Sequence, residues 1–159
     1  MSIPAAPHRS PAEQARFDAA LIELVERDIP FNQVLGLKVQ SLRPAFLVRL
    51  AMRPELAGHL GRLHGGVTSA ALDTMGGCRV MLAIAERHAG DAAEQVLQRF
   101  AKMSTIDLRV DYLRPGIGHS FVATAELTRL GGRVASTLMR LHSDSGELIA
   151  TGAASYIVS

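Results

Sequence analysis

From residue 104 onward the chain alternates. Ile106, Leu108, Val110 and Tyr112 take turns with Thr105, Asp107, Arg109 and Asp111, a period of two that predicts a β-strand ended by Pro115 and Gly116. Phe121, Ala123, Ala125 and Leu127 repeat the pattern, Gly131-Gly132 is a two-residue hairpin signal, and residues 134–142 read as the returning strand. A turn at Ser143-Asp144-Ser145-Gly146 leads into a last strand over residues 148–158. Nearer the start, residues 38–52 predict a strand pair or one long bent strand, broken near Pro44.

Helical signals precede these strands. Residues 63–84, LHGGVTSAALDTMGGCRVMLAI, are apolar almost all round from about Val67, the pattern of a helix enclosed on every side, and the helix can continue to His88. Ser10 as N-cap, Pro11 and Glu13 open another helix to about Arg27, with Phe17, Ala20, Leu21, Leu24 and Val25 on its apolar face. A loose, Pro-rich stretch over residues 1–10 precedes it. Residues 29–37 read as a connector with a single helical turn, residues 53–62 as a Gly-rich loop, and residues 89–103 as a helix end followed by a mobile loop. One long helix and five or six antiparallel strands make an α+β arrangement with the sheet wrapped around the helix.

Composition narrows the class. With 159 residues, 48% of them hydrophobic and 20% charged, the chain can bury a sizeable core in one soluble domain. A net charge of +2, 4% aromatics and no basic run give no support for nucleic acid as a partner. Cys78 is the single cysteine, so no disulfide framework forms within one chain and a reducing, cytoplasmic setting is expected. The start lacks a signal-peptide run and the longest apolar stretch is interrupted by Asp73 and Arg79, so neither export nor a membrane span is expected. The six histidines are scattered without metal-ligand spacing, and no metal is assigned.

The candidate chemistry lies in residues 63–84. Glycines just before a helical run leave N–H groups open at a helix N-terminus, where an oxyanion can be held. Around Asp73, the positions three, four and seven away include Gly66, Ser69, Ala70, Gly76 and Gly77, so a ligand or another backbone can come close. A carboxylate in such surroundings is costly unless it has a partner or a task; capping a backbone, pairing with an arginine and serving as a base all satisfy that. Gly65 and Asp73 are eight helical residues apart (73 − 65 = 8), about 12 Å along the axis. A base and an oxyanion donor each need to lie about 3 Å from one reacting group. If both act, they come from two copies of the chain, and the site is a dimer interface.

Leu63-His64-Gly65-Gly66 followed by Asp73, together with residues 105–116, TIDLRVDYLRPG, resembles the hotdog-fold acyl-CoA thioesterases of the PaaI-like group, and within it the YigI-like subgroup. The resemblance covers roughly residues 31–158. It implies a curved antiparallel sheet around a long central helix, with residues 1–30 as an N-terminal extension and helix and residues 31–159 as the thioesterase domain. It further implies a thioester hydrolase acting on acyl-CoA, with medium- to long-chain esters as the expected substrates, that works as a homodimer or dimer of dimers and needs no cofactor beyond the coenzyme A of its substrate. Carried over residue by residue, Gly65 matches the N–H that polarises the thioester carbonyl, Asp73 the base or nucleophile, and Thr105 a hydroxyl that orients the attacking water. His64 belongs to the motif and fixes the loop before Gly65, with Gly66 beside it as a substrate contact. Alternation places Thr105 on the polar side of its strand, so a solvated role stays open.

One position departs from the pattern: many relatives carry Asn six residues before the motif histidine, where this chain has Gly58 followed by His59. Either His59 contributes to the pocket or it is an exposed loop residue. Arg129 and Arg133, flanking the Gly-Gly hairpin, are candidates for the coenzyme A phosphates; a solvated surface pair is the alternative. No G-x-S-x-G elbow accompanies His64, against a Ser-His-Asp hydrolase. A non-catalytic acyl-CoA-binding sensor or carrier, and a hydratase on the same fold, are the other readings; the first has no use for Asp73, and the second lacks a His-carboxylate pair.

Overall fold

A computed structural model describes residues 8–159, so most of the stretch expected to be loose, residues 1–7, lies outside the described residues. Arg9 is not loose. Its guanidinium donates to the carbonyl oxygens of Ala85, His88 and Asp91 and lies 4.9 Å from the Phe17 ring centroid, placing a cation over the end of the central helix, where the dipole favours one.

α1 (Pro11–Glu23) forms as expected: Ser10 Oγ accepts the Glu13 N–H at 3.2 Å, and Pro11 occupies the first turn. Phe17, Leu21 and Val25 recur every fourth residue and are fully buried. A π-helical turn over Leu24–Asp28 and the short α2 (Pro30–Leu35), stopped by Gly36 in the left-handed region, deliver the chain to β1 (Leu37–Ser41). β1 turns back through Arg43-Pro44 into β2 (Leu47–Ala51), so residues 38–52 are a strand pair.

The long helix is α3 (Gly65–Arg87). α4 (Ala93–Arg99) follows it, then β3 (Ser104–Tyr112), β4 (Ser120–Leu130), β5 (Val134–Ser143) and β6 (Leu148–Ile157). All six strands join one antiparallel sheet in the order β1-β2-β4-β5-β6-β3. α3 lies across it, against β3, β4, β5 and β6, which is the hotdog arrangement the resemblance implies. The β4–β5 connection takes three residues rather than two, with the Gly131 N–H donating to the Val134 carbonyl.

Two further expectations need correction. Residues 89–103 hold a helix, α4, where a mobile loop was expected: Ala93, Val96, Leu97 and Phe100 have three-four spacing, Val96 is fully buried, and Phe100 meets Phe17 edge-on at 6.4 Å. That signal is short and was masked by the charged residues between. The second concerns α3, which is not enclosed on every side. Its sheet-facing side, including Leu72, Met75, Gly76 and Val80, is buried, but Gly66, Ser69, Ala70, Asp73, Thr74, Gly77 and Met81 form a stripe that one protomer leaves partly open.

Gly76 sets how closely α3 rides on the sheet. A β-carbon there would stand 2.2 Å from Tyr156 Oη, 2.8 Å from Thr137 Oγ1 and 3.0 Å from Met139 Sδ, and all three residues are buried. Gly76→Ala is therefore expected to destabilise the fold by about 1–3 kcal/mol or more despite its better helix propensity. A denaturant melt checks this; an unchanged midpoint would show that the helix can lift without cost.

Candidate active site

The site begins at the first turn of α3. His64 has extended backbone angles and acts as N-cap, its Nδ1 accepting the Gly66 N–H at 2.9 Å. This fixes the imidazole as an acceptor and uses the Gly66 donor. The neighbouring Gly65 N–H has no acceptor among the described residues and sits where the helix dipole is positive. On its other side Tyr112 Oη donates to the Gly65 carbonyl at 2.9 Å, tying the helix tip to the end of β3. Gly58 lies against His64, and a β-carbon at residue 58 would be crowded at 3.2 Å from His64 Cδ2. Gly58 thus suits this loop, while His59 is exposed on a 3-10 turn (His59–Gly61).

Two turns on, Asp73 is half-buried at the rim of a hollow of about 210 Å³. Its Oδ1 accepts from Thr105 Oγ1 at 3.0 Å and from Tyr156 Oη at 3.3 Å, and the Asp73 carbonyl also accepts from Tyr156 Oη, at 3.0 Å. Oδ2 has no partner among the described residues. The carboxylate is thereby pinned by one oxygen and presents the other to the hollow.

Alternation in the sequence put Thr105 on the wrong face, and a β-bulge is the reason. Thr105 pairs with Tyr156 and Asp107 with Ser155, leaving Ile106 as an extra residue. The bulge reverses the phase: Thr105 joins Leu108 and Val110 on the helix side, while Ile106 is 51% exposed. Tyr156, directly opposite Thr105, completes the arrangement. Its hydroxyl is pushed up from the ordinary phenol range, first by burial and then by the Asp73 charge, so it stays a donor. The sequence reading missed Tyr156; its trace is the lone aromatic of β6, after a run of small residues and facing Gly76 and Gly77.

Beneath the hollow, buried Asn32 bridges α2 to α3, donating to the Val25 carbonyl and accepting from Thr74 Oγ1 at 3.2 Å. Cys78 also lines it, but burial and then Asp73 push its thiol up to about 12, which makes it a packing residue rather than a nucleophile. Arg129 and Arg133 are exposed, on the β4–β5 hairpin, and neither side chain hydrogen-bonds to Asp73, Thr105 or Tyr156. Arg87 holds the hairpin they flank by donating to the carbonyls of Leu130 and Gly131, and it lies fourteen residues beyond Asp73 (87 − 73 = 14), about 21 Å along α3. The structure thus gathers Asp73, Thr105 and Tyr156, keeps Gly65, Gly66 and His64 together a dozen ångströms away, and brings neither arginine to either group within one protomer. Among the described residues, no helix is long and apolar enough to cross a membrane.

Known proteins align with the chain. Residues 60–150 match the family model described as "Thioesterase superfamily". The medium/long-chain acyl-CoA thioesterase YigI of Salmonella typhimurium is 39% identical over 140 residues, covering 86% of this chain and 90% of that protein. Its Escherichia coli K12 counterpart is 38% identical over the same shares. A Shewanella oneidensis protein related to the thioesterase superfamily has a crystal structure that superposes with a TM-score of 0.86 at 35% identity, covering 95% of this chain and 100% of that one.

Proposed function

The chain belongs to the thioesterase superfamily, and from that premise we propose that it hydrolyses medium- to long-chain acyl-CoA to free acid and coenzyme A, with Asp73 of one protomer and the Gly65 N–H of its partner. The observation that carries this reading is the carboxylate itself. Asp73 is clamped at Oδ1 by two hydroxyls and free at Oδ2 beside an apolar hollow, an arrangement a pure binding protein would not need.

In the proposed reaction Asp73 Oδ2 takes a proton from water as the water oxygen bonds to the thioester carbon. The carbonyl oxygen becomes an oxyanion held by the Gly65 N–H. Collapse of the tetrahedral species breaks the C–S bond, and the proton passes to the departing thiolate. Direct attack by Oδ2 to give a mixed anhydride uses the same geometry. Thr105 and Tyr156 are positioning residues that aim the carboxylate, and His64 holds the loop from which Gly65 points.

A second protomer enters because one helix cannot bring both groups to one carbonyl: eight residues separate them, about 12 Å. β3 offers the means. It is an edge strand of nine residues, and unpaired edges recruit further strands. The open stripe of α3 lies on the same border, with side chains small enough for a symmetry-related helix to approach. A β3-to-β3 dimer would set each Asp73 toward the other chain's Gly65; a dimer of dimers in the cytoplasm is the fuller form of the proposal. Arg129 and Arg133 stay the candidates for the coenzyme A phosphates, reached from a partner protomer. Thiol release measured with the purified chain across acetyl- to hexadecanoyl-CoA tests the activity, and no release from any ester would overturn it.

A further inference from the structure

Resting on that reading, the geometry points to an acyl channel of two chambers in which Met81 is the neck that grades substrates by length. The inner chamber is the hollow of about 210 Å³ at Asp73. An outer one of about 390 Å³ lies between α1 and the turn after α4, walled by Ala20, Leu24, Leu97 and Phe100. Met81 lines both, and no other described residue does.

Three further observations fit a hydrocarbon occupant. Gly77 leaves the path open, since a β-carbon there would meet only Tyr156 Cε1, at 3.7 Å. Asp73 is the one ionisable carboxylate of the inner chamber, and the next carboxylates are Glu23 and Asp28 on the outer one, so at the neck between them the chambers share only the thioether of Met81. Both of those are exposed, which suits a far end open to water and disfavours acyl chains that end in a second carboxylate. Met81 is half-buried, and an unbranched thioether can swing aside for a chain as a branched residue cannot.

The dimensions set an expected threshold. Met81 is eight residues past Asp73 (81 − 73 = 8), about 12 Å along α3. An extended chain with C–C bonds of about 1.52 Å at about 111° advances roughly 1.25 Å per carbon, so about ten carbons reach the neck. Longer chains enter the outer chamber. Part of that chamber is built by α1 and the turn after it, so the upper limit is set by a segment that precedes the residues matching the family model.

The test is the specificity constant of the dimeric protein for hexanoyl-, decanoyl-, tetradecanoyl- and hexadecanoyl-CoA, in wild type, Met81→Trp and Leu97→Trp. Met81→Trp is expected to lower the tetradecanoyl-to-hexanoyl ratio at least ten-fold. Leu97→Trp should leave the decanoyl-to-hexanoyl ratio within two-fold and lower the hexadecanoyl-to-hexanoyl ratio at least ten-fold. Unchanged ratios in both variants, or the same cut-off length in both, would overturn the neck while leaving the thioesterase reading intact; a wild type that cleaves none of the esters overturns both. Should Met81→Trp fail to fold by circular dichroism, Met81→Phe carries the same comparison.

Discussion

Asp73→Ala is expected to lower thiol release by at least about a thousand-fold, the upper range for losing a general base or nucleophile, while dimer and fold persist. The reason for the split lies in the hydrogen bonds. Tyr156 Oη keeps its 3.0 Å bond to the residue 73 carbonyl when the side chain is gone, and Thr105, which loses its partner, is exposed to water. No buried donor is orphaned, so the stability cost stays near that of one ordinary hydrogen bond, about 1 kcal/mol. Single-turnover thiol release together with a thermal melt checks both halves. Turnover within ten-fold of wild type would make Asp73 a structural acceptor for its two hydroxyls and nothing more.

The second large effect concerns a backbone atom, which side-chain truncation cannot reach. Gly65→Pro removes the N–H at the first position of α3, where proline is well tolerated. The preceding residue must then be extended, and His64 already is, at φ −65° and ψ 138°. A β-carbon at residue 65 meets the Tyr112 ring at 3.5 Å, an ordinary contact. The helix should form, and the rate should fall by about 100- to 1,000-fold, as for other lost oxyanion donors. Mixing the two dead variants adds a test of where the site is assembled. In a heterodimer, Asp73 from the Gly65→Pro chain meets an intact Gly65 N–H from the Asp73→Ala chain, so one site in two is restored. With free subunit exchange about a quarter of the wild-type activity should return in a two-fold dimer. If nothing returns although exchange is shown by mass spectrometry, the site belongs to a single chain.

Much of this was legible in the residues because the signals were long or chemically narrow. Alternation over β3 and β4, with the turn signals at Gly131-Gly132 and residues 143–146, gave the strands, Ser10-Pro11 gave the start of α1, and the twelve-ångström gap between Gly65 and Asp73 came from helix rise alone. What escaped depended on single-residue events. Ile106 looks like any other apolar position of an alternating strand, and only the pairing of Thr105 with Tyr156 shows that the phase has slipped. Tyr156 carries no motif; its meaning comes from β6 lying between β5 and β3, so that it passes under Asp73. α4 is seven residues long, too short for its three-four spacing to stand out against the charges around it. The enclosed reading of α3 failed for a different reason. Small residues such as Gly66, Ala70 and Gly77 are as typical of a tight contact between chains as of a buried core, and hydropathy does not separate the two.

The place of β6 also bears on how the chain is made. Every other strand of the domain precedes it, yet β6 is an inner strand and β3 has no neighbour in the sheet until β6 arrives. While residues 148–157 are still within the ribosome, β3 has nothing to pair with and the Thr105 hydroxyl has no Tyr156 beside it. The domain therefore closes late, through contacts between distant parts of the chain, as expected of a slow-folding topology. A product broken off at Ser145 would keep the helix with its carboxylate and lose the strand that binds the sheet together.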